Sequence, residues 1–171
     1  MEFKPLENAL ISLKRLEKED FDLLFQVASD AEIWKDHPEH TRYTAKGFKT
    51  YFNHLINTNC PFLVFDNSSN QIIGATSYYD WYESQKRVAI GYTFLAMSHR
   101  GGKFNTSMKR LMIDYAFRYV DKIIFHVREH NLRSQAALLK IGAHKIKEYP
   151  SPHDSASKQF EFAINKGEYL L

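Results

Sequence analysis

Cysteine occurs once, at Cys60, so no disulfide can form within the chain, and a reducing, cytoplasmic setting is expected. Apolar runs are short, and none approaches the ~20 residues that a membrane-spanning helix needs. The opening residues, Met1-Glu2-Phe3-Lys4-Pro5, lack the basic segment and apolar stretch of a secretory signal, so no membrane association is expected. Charge of one sign is scarce too. The 23 Lys and Arg against 20 Asp and Glu leave a scattered surplus that tolerates an acidic ligand but makes no nucleic-acid footprint. No repeat, low-complexity tract or Pro/Gly/Ser-rich linker divides the 171 residues, so one domain spanning 1–171 is expected, large enough to bury a core without staples. Metal-ligand spacing is missing: His126 and His130 would stand ~13 Å apart on a strand, and no His-Glu-x-x-His occurs. No metal site is therefore expected.

What the chain does have is a composition, 44% hydrophobic and 25% charged, that suits a globular fold. Periodicity then orders its elements. An edge strand is expected over Ile11 to Leu16, a helix after Glu19-Asp20 carrying Phe21, Leu24, Phe25 and Ala28, and a second helix from Thr44 to Ile56 with Thr44 as N-cap. Phe62 to Phe65 and Ile72 to Tyr79 flank the turn-rich Asp66 to Asn70 as a hairpin, and Asp80 to Lys86 reads as another turn. Val88 to Leu95 is a central strand, with Val88, Ile90, Tyr92 and Phe94 expected on one face and Ala89, Gly91, Thr93 and Leu95 on the other. A helix follows in which Met108, Leu111, Met112, Tyr115, Ala116 and Tyr119 share one stripe, while Lys109, Arg110, Asp114 and Arg118 fall on the opposite face. Lys122 to Arg128 is a strand, Leu132 to Ile141 a helix closed by Gly142, and Phe160 to Ile164 a strand, with one more possible at Ala143 to Tyr149. The unit from Val88 to Arg128 requires a right-handed crossover between parallel strands.

That crossover contains His99-Arg100-Gly101-Gly102-Lys103-Phe104, between the strand ending at Leu95 and a helix beginning near Asn105. Two glycines permit close backbone approach, cationic residues flank them, and the helix start adds partial positive charge, so a phosphate-bearing ligand suits the loop. A nucleotide P-loop does not fit, because Met97 stands where its first glycine belongs and Phe104 where its Ser/Thr belongs.

Four linked segments, Ile90 to Leu95, Arg100 to Thr106, Asn131-Leu132-Arg133-Ser134 and Lys140-Ile141-Gly142, resemble the GNAT N-acetyltransferases, and within them the branch of ribosomal-protein alanine N-acetyltransferases and related small-molecule enzymes. The loop follows the family's Gln/Arg-x-x-Gly-x-Gly/Ala pattern at Arg100 and departs from it at Lys103, while Asn105 at the second small-residue position recurs in this branch. The resemblance implies an α+β (mixed α/β) fold: a central, mostly antiparallel mixed sheet flanked by helices, with one parallel strand pair splayed around the cofactor. It implies acetyl-CoA as cofactor and a primary amine, a protein N-terminus or a small molecule, as acceptor, attacked directly in a ternary complex. A catalytically weak or inactive CoA-binding module of the same fold is the alternative. A homo-oligomer, as a dimer, is the assembly it suggests.

By the same resemblance the diphosphate would be held by N-H groups from Arg100 through Gly101, Gly102, Lys103 and Phe104 to Asn105 and Thr106, and the pantetheine arm by Phe94, Leu95, Ala96 and Asn131. A backbone N-H near Leu95 would receive the carbonyl oxygen, and Ser134, which matches the family's Asn-x-x-Ser serine, would protonate the departing thiolate; Leu138 stands where many members carry a tyrosine acid. Ala89 replaces the glutamate frequent in this branch, which leaves Asp80, Glu83 and His126 as candidate bases. Trp34, Tyr78, Asp80 and Trp81 are the expected acceptor-binding residues; acceptor specificity is assigned to Trp34 to Ile56, Asp80 to Lys86 and Pro150 to Lys158.

Overall fold

Runs of β-branched and aromatic residues able to pair along both edges build the sheet first. The computed structural model describes residues 4–35, 37–152 and 154–169. Its strands are β1 (Leu6–Glu7), β2 (Ile11–Arg15), β3 (Cys60–Asp66), β4 (Gln71–Tyr82), β5 (Arg87–Leu95), β6 (Lys122–Arg128), β7 (His144–Ser151) and β8 (Asp154–Asn165). They form one eight-stranded sheet in the order β1-β2-β3-β4-β5-β6-β8-β7, antiparallel except where β5 meets β6. The helices are α1 (Phe21–Ala28), α2 (Ala45–Ile56), α3 (Lys103–Ala116) and α4 (Leu132–Lys140). Leu24, Ala28, Phe48 and Leu55 of α1 and α2 share one core with Leu63, Ala75 and Phe94. Met108, Met112, Ala116 and Leu138 of α3 and α4 share the other with Ile11, Phe62, Val88 and Ile90. The sheet is thus sandwiched between the two helix pairs.

Local chemistry sets the helix ends. The Thr44 hydroxyl accepts the Gly47 N-H at 3.1 Å, and α4 closes with Ala143 N-H on Leu138 O at 3.0 Å and Gly142, at φ +86°, on Leu139 O at 3.1 Å. Several boundaries differ from the sequence expectation. The strand at Ile11 is not an edge, because Leu6–Glu7 pairs outside it. β4 runs on through Tyr82, so the expected turn shrinks to Glu83–Gln85, and α3 begins at Lys103 rather than Asn105. The stretch from Pro150 to Lys158, expected as a loop, largely pairs within the β7–β8 hairpin, Pro150 opposite Lys158; its residue 153 lies outside the described residues.

Two irregularities of β5 shape everything that follows. Opposite β4, Ala75 pairs with Phe94 and Ser77 with Gly91, so Tyr92 and Thr93 together face Thr76, and Tyr92 sits at φ +53°. This bulge shifts the strand's phase. Phe94 therefore joins the core under α1 and α2 rather than the one holding Val88 and Ile90, against the simple alternation. Opposite β6, parallel pairing covers only Arg87↔Lys122, Val88↔Ile123 and Ala89↔Ile124. Beyond that point β6 stays with β8 as far as Arg128↔Gln159 and β5 stays with β4 as far as Leu95↔Gly74, so the strands part into a wedge.

Candidate functional site

Past Leu95 a short turn, Met97–His99, leads to Gly102, the N-cap of α3. Gly102 offers no capping side chain and the helix's first turn contains no acid, so the helix start lacks the acceptors that usually satisfy it. The Arg100 N-H is taken by Met97 O at 3.2 Å; those of Gly101, Gly102, Lys103 and Phe104 meet no backbone acceptor among the described residues. Gly101 adopts φ +70° with open space where a Cβ would be. The Arg100 side chain departs from an anion-holding role: Nε donates to Leu95 O at 3.2 Å and Nη2 to Ile33 O at 2.5 Å, tying the loop to the Ala31–Ile33 turn. The Lys103 ammonium lies 5.8 Å from the Phe104 ring centroid, and that ring meets His99 edge-on at 4.6 Å. Asn105 and Thr106 are half-buried in the same turn.

Ala96 donates its N-H to Ile73 O at 2.7 Å, so strand alternation turns the N-H of Leu95 away from β4, toward the side where β6 has parted. Phe94 itself is buried against Trp34, Phe48 and Tyr51.

The wedge opens into a cleft of about 790 Å³. Of the candidate site residues singled out in the sequence, Trp34, Asp80, His126, Asn131 and Ser134 line it; Phe94, Leu95, Ala96 and the segment from Arg100 to Thr106 do not. One acceptor-binding expectation is corrected. Tyr78 is 0% exposed and donates its hydroxyl to Met112 O at 2.6 Å, which makes it a core residue. Trp81 packs against the α3-side core, its backbone N-H on Asn59 Oδ1 at 3.2 Å. Asn131 caps α4, its Oδ1 accepting the Ser134 N-H at 3.1 Å. Glu83, a candidate base, stands in an exposed turn off the cleft.

Of the candidate bases, Asp80 and His126 both stand on the cleft wall, and His126 has the more developed set of partners. Its Nδ1 lies 2.7 Å from the Tyr79 hydroxyl, and its Nε2 lies 3.9 Å from Glu161 Oε2. Burial holds the imidazole below its ordinary pKa, against the opposing pull of Glu161 and Asp80. It is therefore neutral at pH 7. Burial, with Asp80 second, pushes the Tyr79 phenol well above its usual range, so it acts as a hydrogen-bonded hydroxyl. Gly91 makes room for that ring: a Cβ there would meet Tyr79 Cε1 at 2.7 Å. Tyr92, thrown out by the bulge, packs edge-on to Tyr79 with centroids 5.2 Å apart. On the other flank, burial works to raise the Glu39 carboxyl, yet its pairing with Arg42, with His37 and Arg128 beyond, holds it below the usual range. Lys109, expected on the solvent face of α3, is buried on the cleft wall, because the wedge turns that flank of the helix inward. A second cavity, of about 320 Å³, shares Tyr79, Asp80 and Tyr92 with the first and is otherwise lined by carboxamides, Thr58 and His54.

Lys109 and Tyr92 carried no sequence signal for such a place. Only the bulge and the wedge put them there.

The acetyltransferase (GNAT) domain family matches residues 11–144. The chain belongs to the GNAT acetyltransferases. Its fold is similar to that of a probable GNAT-family acetyltransferase from Chromobacterium violaceum (TM-score 0.84, 18% identity, 98% of this chain and 89% of that one). It is similar too to a spermidine N-acetyltransferase from Vibrio cholerae, solved with CoA and spermine (TM-score 0.73, 18% identity, 96% and 100%). A third similar structure is a ribosomal-protein-S5-alanine acetyltransferase from Vibrio fischeri (TM-score 0.71, 16% identity, 98% and 99%). No curated protein matches the sequence. Among the described residues no helix is long and apolar enough to cross a membrane.

Proposed function

We propose that the protein transfers an acetyl group from acetyl-CoA to a primary amine carrying positive charge, the two substrates meeting at Tyr79. The observation that carries this reading is the wedge: parallel pairing that stops at Ala89↔Ile124, beside a helix whose first N-H groups meet no backbone acceptor among the described residues. The diphosphate suits the N-H groups of Gly101 to Phe104, where converging donors and the helix start favour an anion. From there the pantetheine arm follows the free edge of β5 toward Gly91. The Leu95 N-H, facing that open edge, is placed for the arm's amides, while Asn131 and Ser134 border it from α4.

On the far side, the smaller cavity presents the Asp80 carboxylate and neutral amides, with no lysine or arginine in its wall. Such a lining favours a cationic amine. Tyr79, common to both cavities, takes a proton from the attacking nitrogen and hands its own to His126 Nδ1, with Glu161 stabilising the imidazolium as it forms. Ser134 holds the thioester sulfur by hydrogen bonding. The Vibrio cholerae structure, in complex with CoA and spermine, lends weight to a polycationic acceptor.

The test is thiol release from acetyl-CoA with spermine, an alanine-terminated peptide and an aminoglycoside as separate acceptors. Release that is fastest with spermine supports the reading. Tight acetyl-CoA binding without release for any amine assigns the protein to the CoA-binding modules instead.

A further inference from the structure

Lys109 is the oddest residue in the cleft. It is 7% exposed, its Nζ stands 5.3 Å from the centroid of the Phe125 ring, and no hydrogen bond or ion pair joins it to another described residue. Desolvating an ammonium group without a carboxylate partner is unfavourable, and the face of one aromatic ring offsets only part of that cost. A fold that keeps such a charge aimed into a cleft presents it to an anion that arrives from outside.

Position says which anion. Phe125 is the first residue of β6 beyond the last parallel pair, so Lys109 stands at the base of the wedge. Along α3 it lies six residues past Lys103, ~9 Å from the helix start. A coenzyme whose diphosphate sits at that start, with its arm running back along β5, brings its sulfur rather than its phosphates to this level. The α4 wall offers the sulfur only the Ser134 hydroxyl and the Leu138 side chain, neither of which holds a proton it can surrender near neutral pH.

We propose that Lys109 is the general acid of the transfer, giving its Nζ proton to the coenzyme A sulfur as the thioester breaks; this rests on the acetyl-CoA reading above. The amine nitrogen attacks the carbonyl carbon and the C-N bond forms. The C-S bond breaks with its electron pair passing to sulfur, and the Nζ-H proton follows, leaving coenzyme A thiol and a neutral lysine. The proton lost by the amine leaves through Tyr79 and His126, and Lys109 recovers one from water.

Burial alone pulls the Lys109 ammonium down to about 8, which leaves it charged at pH 7 and close in acidity to a thiol. The other charged or titratable groups on the cleft are Tyr79 and Asp80 on β4, Tyr92 on β5, His126 and Arg128 on β6, His130 ahead of α4, Tyr149 on β7, Tyr51 on α2, and His37, Glu39 and Arg42 ahead of α2. Their charges leave the Lys109 proton to burial.

Lys109→Met and Lys109→Arg test the assignment. Methionine removes the charge at similar size; arginine keeps a charge that is not released. Both variants should bind acetyl-CoA within about threefold of wild type while kcat with spermine falls ~100-fold and KM for spermine holds. The decline in kcat above pH 8 should vanish in Lys109→Met. The thiol of bound CoA, followed by thiolate absorbance, should ionise about one pH unit lower in wild type than in Lys109→Met. Wild-type kcat in Lys109→Arg, or the same thiol ionisation in Lys109→Met and wild type, overturns the role of Lys109 while acetyl-CoA binding stands. A wild-type protein that binds no acetyl-CoA overturns the parent reading and this one together.

Discussion

The loop at the start of α3 and the wall of the wedge face the same proposed coenzyme, but they are made in opposite ways. The loop is local: Gly101 to Phe104 are consecutive, and their exposed N-H groups follow from glycine conformations and the helix that begins there. The wall is assembled from distance. Tyr79 comes from β4, Lys109 from α3, His126 from β6 and Glu161 from β8, and a bulge and a broken strand pairing bring them together. Backbone sites therefore tolerate drift in sequence, while side-chain sites depend on register. The loop should govern coenzyme affinity and the wall should govern turnover.

The sharpest way to break that division is His126→Gln. The account expects kcat to fall ~100-fold with acetyl-CoA affinity intact. It also expects the wild-type rate to fall on acidification only below the ordinary imidazole range, because burial holds His126 under its usual value and protonation removes the base. A loss of affinity in place of rate would merge the two regions into one.

Lys109→Met should raise stability at pH 7 by about 2 kcal/mol, since it removes a buried, unpartnered charge. The wild-type chain should itself gain stability as pH rises from about 8 toward 10.5, because the unfolded state there still holds a proton that the folded state has released; the variant should lack that gain in urea titrations. Gly91→Ala places a Cβ 2.7 Å from Tyr79 Cε1, so the ring must move off His126, and kcat should drop about tenfold at unchanged coenzyme affinity. Asp80→Asn should raise KM for spermine about fivefold and leave a neutral-side-chain peptide amine almost untouched. Lys103→Gly should change acetyl-CoA affinity least, about twofold, because the Lys103 ammonium rests toward Phe104. A tenfold rise measured by calorimetry would show instead that its Cβ obstructs the loop.

Much of this fold was legible in the sequence. Thr44 as N-cap, Gly142 closing α4, the β3–β4 hairpin and the parallel crossover each rest on short-range chemistry or a clean period. The Lys109 side chain was not, since a helical wheel puts it with Arg110 and Asp114 and cannot know that a neighbouring strand has parted. Simple alternation puts Phe94 on the wrong face, because one extra residue at Tyr92–Thr93 inverts the phase of the strand. Tyr78 and Tyr79 were indistinguishable in a run of aromatics; their strand parity sends one into the core and the other to the cleft. The glycine pattern extends the run of anion-facing N-H groups back to Arg100, but Met97 O takes the Arg100 N-H and carbonyls of Leu95 and Ile33 claim its guanidinium.

A crystal structure with coenzyme A bound tests the central claim most directly. The account expects the diphosphate on the N-H groups of Gly101 to Phe104 and the thiol at the base of the β5–β6 wedge, beside Lys109 and Ser134. Coenzyme A seated elsewhere, with the wedge filled only by water, would contradict it.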